Sequence, residues 1–104
     1  MRVVLCTAPP EAAATVARHL LHHGAACVNV LPGVTSFYRW EGRDCEDAES
    51  LLVIKAPADR VDHLHDSLRG VHPYALPEWV VLDVDPLTSR DYRAWVQDAG
   101  RNQP

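Results

Sequence analysis

The strands implied by this sequence are apolar on both faces. Val28 and Val30 project one way and Cys27 and Leu31 the other; Leu51 and Val53 alternate against Leu52 and Ile54, and Trp79 and Val81 against Val80 and Leu82. Successive side chains of a strand point to opposite faces. A sheet made of these segments must therefore cover both of its sides or leave an apolar surface in water.

The segments between them supply only part of that cover. Residues 2–7 read as a short apolar strand, and Pro9 and Pro10 open a helix where a missing backbone N–H costs least. Ala13, Val16, Ala17, Leu20 and Leu21 recur at helical spacing, and Gly24 supplies the left-handed stop. From Ala25 the chain turns to β-branched and aromatic residues, broken by Pro32-Gly33. It reverses at Glu41-Gly42-Arg43 and stays extended to Lys55, which predicts a long hairpin with a bulge. A second helix over residues 58–69 buries Val61, Leu64 and Leu68, and Val80–Val84 makes a last main strand. Tyr92, Trp95, Val96 and Ala99 form one stripe of a third helix capped by Thr88 or Ser89, and the tail 100–104 is expected to fray.

The order β-α-β-β-α-β plus a C-terminal helix defines an α+β, ferredoxin-like domain spanning residues 1–104, with an antiparallel sheet and two helices on one face. An eleven-residue third helix reaches only ~17 Å. The second face therefore calls for another copy of the chain, as does a hairpin whose strands exceed the usual ~5–6 residues. Its tip is expected to pair with a neighbour's edge.

Bulk properties exclude other roles. A net charge of -4 over 104 residues argues against nucleic acid, whose binding draws on Lys and Arg. The longest apolar runs fall far short of a bilayer span of ~20 residues. The apolar stretch after Met1 is too short for a secretory signal. Cys6, Cys27 and Cys45 are odd in number and widely spaced, which suits reduced thiols and a cytoplasmic protein. No glycine-rich phosphate loop, HExxH helix or CxxC pair is present, so no self-contained catalytic site is expected.

Several short motifs remain: Cys6-Thr7-Ala8-Pro9, Ala26-Cys27-Val28-Asn29, Tyr38-Arg39-Trp40-Glu41-Gly42, Lys55, His72-Pro73-Tyr74 with Pro77-Glu78, and Tyr92-Arg93-Ala94-Trp95. Together, over roughly Val3 to Trp95, they resemble the divalent-cation tolerance protein CutA family. The resemblance implies a homotrimer with the architecture of the nitrogen-regulatory PII proteins and a non-enzymatic role in tolerance of copper and other divalent metals. It implies copper held by Cys6 and by histidine around His72, and no organic cofactor. Val71 stands where some members carry a second histidine, Pro10 replaces an acidic or amide residue, and Asp83 stands where proline is common.

Read as residues, these candidates have two uses each. Cys6 is either a soft Cu(I) ligand or an ordinary core thiol, and His72 either a ligand or a hydrogen-bonded structural imidazole. His19 and His23 share a helical face with His22 nearby and read as surface residues complementing the helix dipole, while His63 and His65 face different ways. Cys45 sits near the hairpin turn with Asp44, Glu46 and Asp47 and reads as solvated loop. Trp40, Glu49, Lys55, His72, Tyr74 and Glu78 are expected to converge in a cleft between subunits, with Lys55 pairing Glu49, Glu78 or a bound anion. Those same groups would serve equally to fix a trimer's register. The leading expectation is a trimeric metal-binding protein; the alternative is a PII-like sensor of a small anionic metabolite.

Overall fold

The structure, a computed structural model, describes residues 1–101. Four strands and three α-helices are present among the described residues. β1 (Arg2–Ala8) is followed by α1 (Pro10–His22), β2 (Cys27–Trp40), β3 (Arg43–Ala56), α2 (Val61–Ser67), β4 (Val80–Leu82) and α3 (Arg90–Arg101). All pairings are antiparallel, in the order β2-β3-β1-β4. This is the expected α+β, ferredoxin-like arrangement.

The core lies on one face of the sheet. Val4, Cys6 and Ala8 of β1 and Leu52, Ile54 and Ala56 of β3 are fully buried. They meet Val16 and Leu20 of α1 and Val61 and Leu64 of α2 in one cluster. Full burial of a side chain such as Leu20 or Ile54 is worth ~1.5–3 kcal/mol. α1 begins with Pro10 in its first turn and stops at Gly24, whose φ of 118° suits a residue without Cβ. The Ala25 N–H reaches the Leu20 carbonyl at 3.0 Å and the Gly24 N–H the Leu21 carbonyl at 3.4 Å, so acceptors in the last turn of the helix are satisfied.

The second helix is shorter than its apolar spacing predicts. Residues Ala58–Arg60 form a 3-10 turn, and after Ser67 the chain continues in tight turns, with Leu68 N–H on the His65 carbonyl at 3.1 Å and Val71 N–H on the Leu68 carbonyl at 3.1 Å. Val61, Leu64 and Leu68 are buried all the same, because steps of three and four residues keep side chains on one side of the segment. The last strand also ends early, at Leu82. Asp83 leaves the ladder and meets Arg2 at 3.2 Å with its side chain 91% exposed, a contact of small energetic weight.

The hairpin sets the shape. β2 and β3 have 14 residues each, ~46 Å at ~3.3 Å per residue, and the longest dimension of the molecule is 44 Å. Glu41 and Gly42 both take positive φ, 51° and 77°, the two-residue turn whose twist matches its strands. β1 covers β3 only from Ser50 to Ala56. The stretch from Val34 to Glu49 is therefore a two-stranded arm projecting past the body.

The helix α3 covers part of the second face. Ser89 is its cap, accepting the Tyr92 N–H at 3.2 Å. Tyr92 lies against Cys27, which by register shares the non-core face with Lys55 and Val3. The helix runs through Gly100, where fraying is expected from sequence, and on to Arg101. The rest of that tail, residues 102–104, lies outside the described residues. Beyond α3 the second face stays apolar and open: Leu31, Val80 and Leu82 are 44%, 45% and 42% exposed.

Candidate functional site

A bulge in β2 decides which side chains face the site. Leu31 pairs with Leu51, but the next pair is Val34 with Glu49, so three steps on β2 match two on β3. The extra residue falls at Pro32-Gly33, with Gly33 at φ 79°. Since strand faces alternate, one inserted residue inverts every later side chain. Ser36, Tyr38 and Trp40 consequently share a face with Glu49, Asp47 and Cys45. The Tyr38 hydroxyl donates to Asp47 across this face.

The segment after α2 closes the other side. His72 accepts the Tyr74 N–H on Nδ1 at 3.1 Å, and its Nε2 lies 2.8 Å from the Thr7 carbonyl oxygen. A carbonyl only accepts, so Nε2 carries the proton and the ring is the neutral tautomer with both nitrogens engaged. This bridge pins the segment to the end of β1. Tyr74 then reaches β3, donating from its hydroxyl to Glu49 Oε2 at 2.8 Å.

Between arm and segment lies a cavity of about 860 Å³, lined among others by Thr7, Trp40, Glu49, Tyr74, Glu78 and Trp79. Among the described residues its ionisable lining groups are carboxylates and phenols, with no Lys, Arg or His. Burial, followed by the neighbouring Glu49, raises the Glu78 carboxyl above its ordinary range. Burial and the Glu49 bond hold Tyr74 protonated, and the Asp47 bond pushes Tyr38 up to about 12. Such a site has charge to attract a cation and none to attract an anion.

Of the residues expected from sequence, Trp40, Glu49, Tyr74 and Glu78 come together here, and His72 stands beside them as a strut. Lys55 does not join them. It lies six positions along β3 from Glu49 and donates to Asn29 Oδ1. Cys6 is fully buried on the core face. Burial first, then Glu78 and Glu49, push its thiol up to about 12, so Cys6 and His72 form no thiolate–imidazole pair in this chain. Among the described residues no group of three or more His, Cys, Asp or Glu is arranged to hold a metal ion. Ser36 and Thr7 were not foreseen as lining groups. Carrying the bulge's change of face through the arm would have placed Ser36.

An antiparallel α+β sheet with a projecting hairpin and an acidic, aromatic cleft at its base defines a PII-like chain. Solved structures agree: a PII-like protein CutA from Nostoc sp. in apo form superposes with a TM-score of 0.89 at 38% identity, over 96% of this chain and 97% of that one. The divalent cation tolerance protein of Thermus thermophilus gives 0.88 at 40% identity over 95% and 98%. The family model described as CutA1 divalent ion tolerance protein matches residues 2–99, and the chain belongs to that family. In sequence it is 41% identical over 98 residues to the divalent-cation tolerance protein CutA of Thermus thermophilus, covering 92% of this chain and 94% of the relative. It is 42% identical over 98 residues to that of Salmonella newport, covering 90% and 83%.

Proposed function

We propose that the chain acts in divalent-cation tolerance as a non-enzymatic homotrimer that holds a cation in the cleft at the base of the hairpin arm. The observation that carries this reading is the charge of the cleft, where, among the described residues, Glu49 and Glu78 are lining groups and no basic side chain is. Two neighbouring carboxylates, one with its ionisation disfavoured by burial and by the other, are relieved by a positive charge between them. The open apolar strip of Leu31, Val80 and Leu82 and the projecting arm support self-association around that cleft.

Copper on Cys6 and His72 is the narrower form of the reading. It requires the thiol to lose a proton it holds up to about 12 and His72 to release one of its two hydrogen bonds. Because Glu78 and Glu49 contribute to holding that proton, a cation seated between them lowers the cost of the thiolate, and the two forms are linked. The alternative, a sensor of a small anionic metabolite, needs a positive charge from a neighbouring chain, since Lys55 is bonded to Asn29. The three cysteines, all free thiols, fit a reducing cytoplasm.

Calorimetric titration of Cu(I), Zn²⁺ and a panel of small anions into reduced protein tests the proposal, with Glu49→Gln, Glu78→Gln and Cys6→Ser in parallel. Cation binding weakened by the two Gln variants is the expected result. Anion binding that survives in both variants, with no cation bound, overturns it. Sedimentation equilibrium at micromolar protein tests the trimer, and a stable monomer would refute it.

A further inference from the structure

Four of the six histidines gather where the end of α1 meets α2, on the helix layer and away from the cleft. The His19 and His23 rings stack with centroids 4.0 Å apart and planes at 26°. His22 stands edge-on to His23 at 5.5 Å, and His63 of α2 lies 5.9 Å from His23. Helical spacing alone puts His19 and His23 on one face. The packing of α2 against α1 is what adds His63.

Hydrogen bonding decides where the lone pairs are. His23 Nδ1 lies 2.9 Å from the His19 carbonyl oxygen, so Nδ1 carries the proton and the neutral ring keeps its lone pair on Nε2. An imidazole with one N–H fixed on a backbone carbonyl and the other nitrogen free is the orientation in which histidines ligate metals. His19 Nε2 is buried and makes no well-formed hydrogen bond among the described residues, although the ring interacts with the Ser67 backbone.

We propose that His19 and His23, joined by His63, form a second site that binds a divalent transition-metal cation of the zinc, nickel or copper(II) class. Imidazole is a ligand these ions favour. An i, i+4 pair on a helix supplies two donors one turn apart, and water completes the shell. The three donors do not converge as the rings stand. His63 is exposed, so the site calls for its side chain to turn toward His23. A metal would replace ring stacking by coordination.

The test is calorimetric titration of Ni²⁺ into untagged, reduced protein, because nickel suits imidazole donors. The expected result is Ni²⁺ binding whose affinity falls about tenfold or more in His23→Gln and in His63→Ala, with that histidine-dependent ion retained in Glu49→Gln/Glu78→Gln even where an ion in the cleft is lost. His23 and His63 are at least partly solvent-facing, so these variants should fold, and a matching circular-dichroism spectrum verifies it. The site is refuted if the parent takes up no Ni²⁺ at millimolar metal or if His19→Gln/His23→Gln binds as tightly as the parent. Loss of binding in the Glu49→Gln/Glu78→Gln protein instead would assign the ion to the cleft and equally refute it.

Discussion

The Tyr74 hydroxyl donates to Glu49 Oε2 at 2.8 Å, tying the segment after α2 to the middle of β3. Glu49 is only 6% exposed, and a buried carboxylate deprived of a donor keeps its desolvation cost. Tyr74→Phe preserves the ring and removes the donor. It should lower stability by ~1.5–3 kcal/mol, measured by urea unfolding. Stability unchanged from the parent would mean that water replaces the bond freely and that the cleft wall is not fixed by it.

Glu78 gives the cleft a pH signature. Its raised pKa means that the folded chain holds this proton more tightly than the unfolded chain, so ionisation works against folding. The contribution is full below the ordinary value of 4.5 and is lost as pH rises through the raised one. Glu78→Gln, always neutral, should therefore match the parent in acid and exceed it in stability near neutral pH. Saturating the cleft with the cation that binds there should narrow the gap. A difference that stays constant across this pH range would remove Glu78 ionisation as its cause.

The sheet was legible in the sequence because alternation and turn chemistry are local. Pro32-Gly33 and Glu41-Gly42 mark the bulge and the turn, and the structure has both. The cleft was legible only in part. Trp40, Glu49, Tyr74 and Glu78 carry polar or amphipathic chemistry beside apolar strands, which singled them out. Lys55 has the same chemistry, but its distance from Glu49 along β3 sets it apart, and no pattern of residue types reports that. Likewise His63 joins His23 through the packing of two helices, which helical periodicity within either one does not contain.

Cys6 should behave as an inert thiol. It has no exposed surface and its proton is held up to about 12, whereas Cys27 and Cys45 are only partly covered. Since the thiolate is the reactive form, iodoacetamide at mildly alkaline pH should spare Cys6 in the folded protein and modify it after denaturation, as peptide mass mapping would reveal. Prompt native-state modification of Cys6 would contradict its burial and would favour a thiol available to metal.

Gly100 is a residue whose helical position hides its purpose. A glycine near the end of an apolar stripe reads as a stop signal, yet α3 passes through it to Arg101. The reason is space. A Cβ built at Gly100 would lie 2.4 Å from Pro57 Cδ, 2.5 Å from Pro57 Cγ and 2.8 Å from the Gly24 carbonyl oxygen. Two of these three contacts are with a rigid ring and the third is backbone, so none can step aside as a flexible side chain would. Gly100→Ala gains helix propensity of ~1 kcal/mol but must push the end of α3 off the loop that follows α1. The clash should win, with a net loss of ~1–3 kcal/mol as in other overpacked sites. Because Val96 on the same helix is fully buried, partial undocking of α3 should also speed amide exchange there. Thermal unfolding and hydrogen exchange on the variant measure both effects. A variant more stable than the parent would show that propensity outweighs packing at this position and that α3 is held at its end by something other than this close approach.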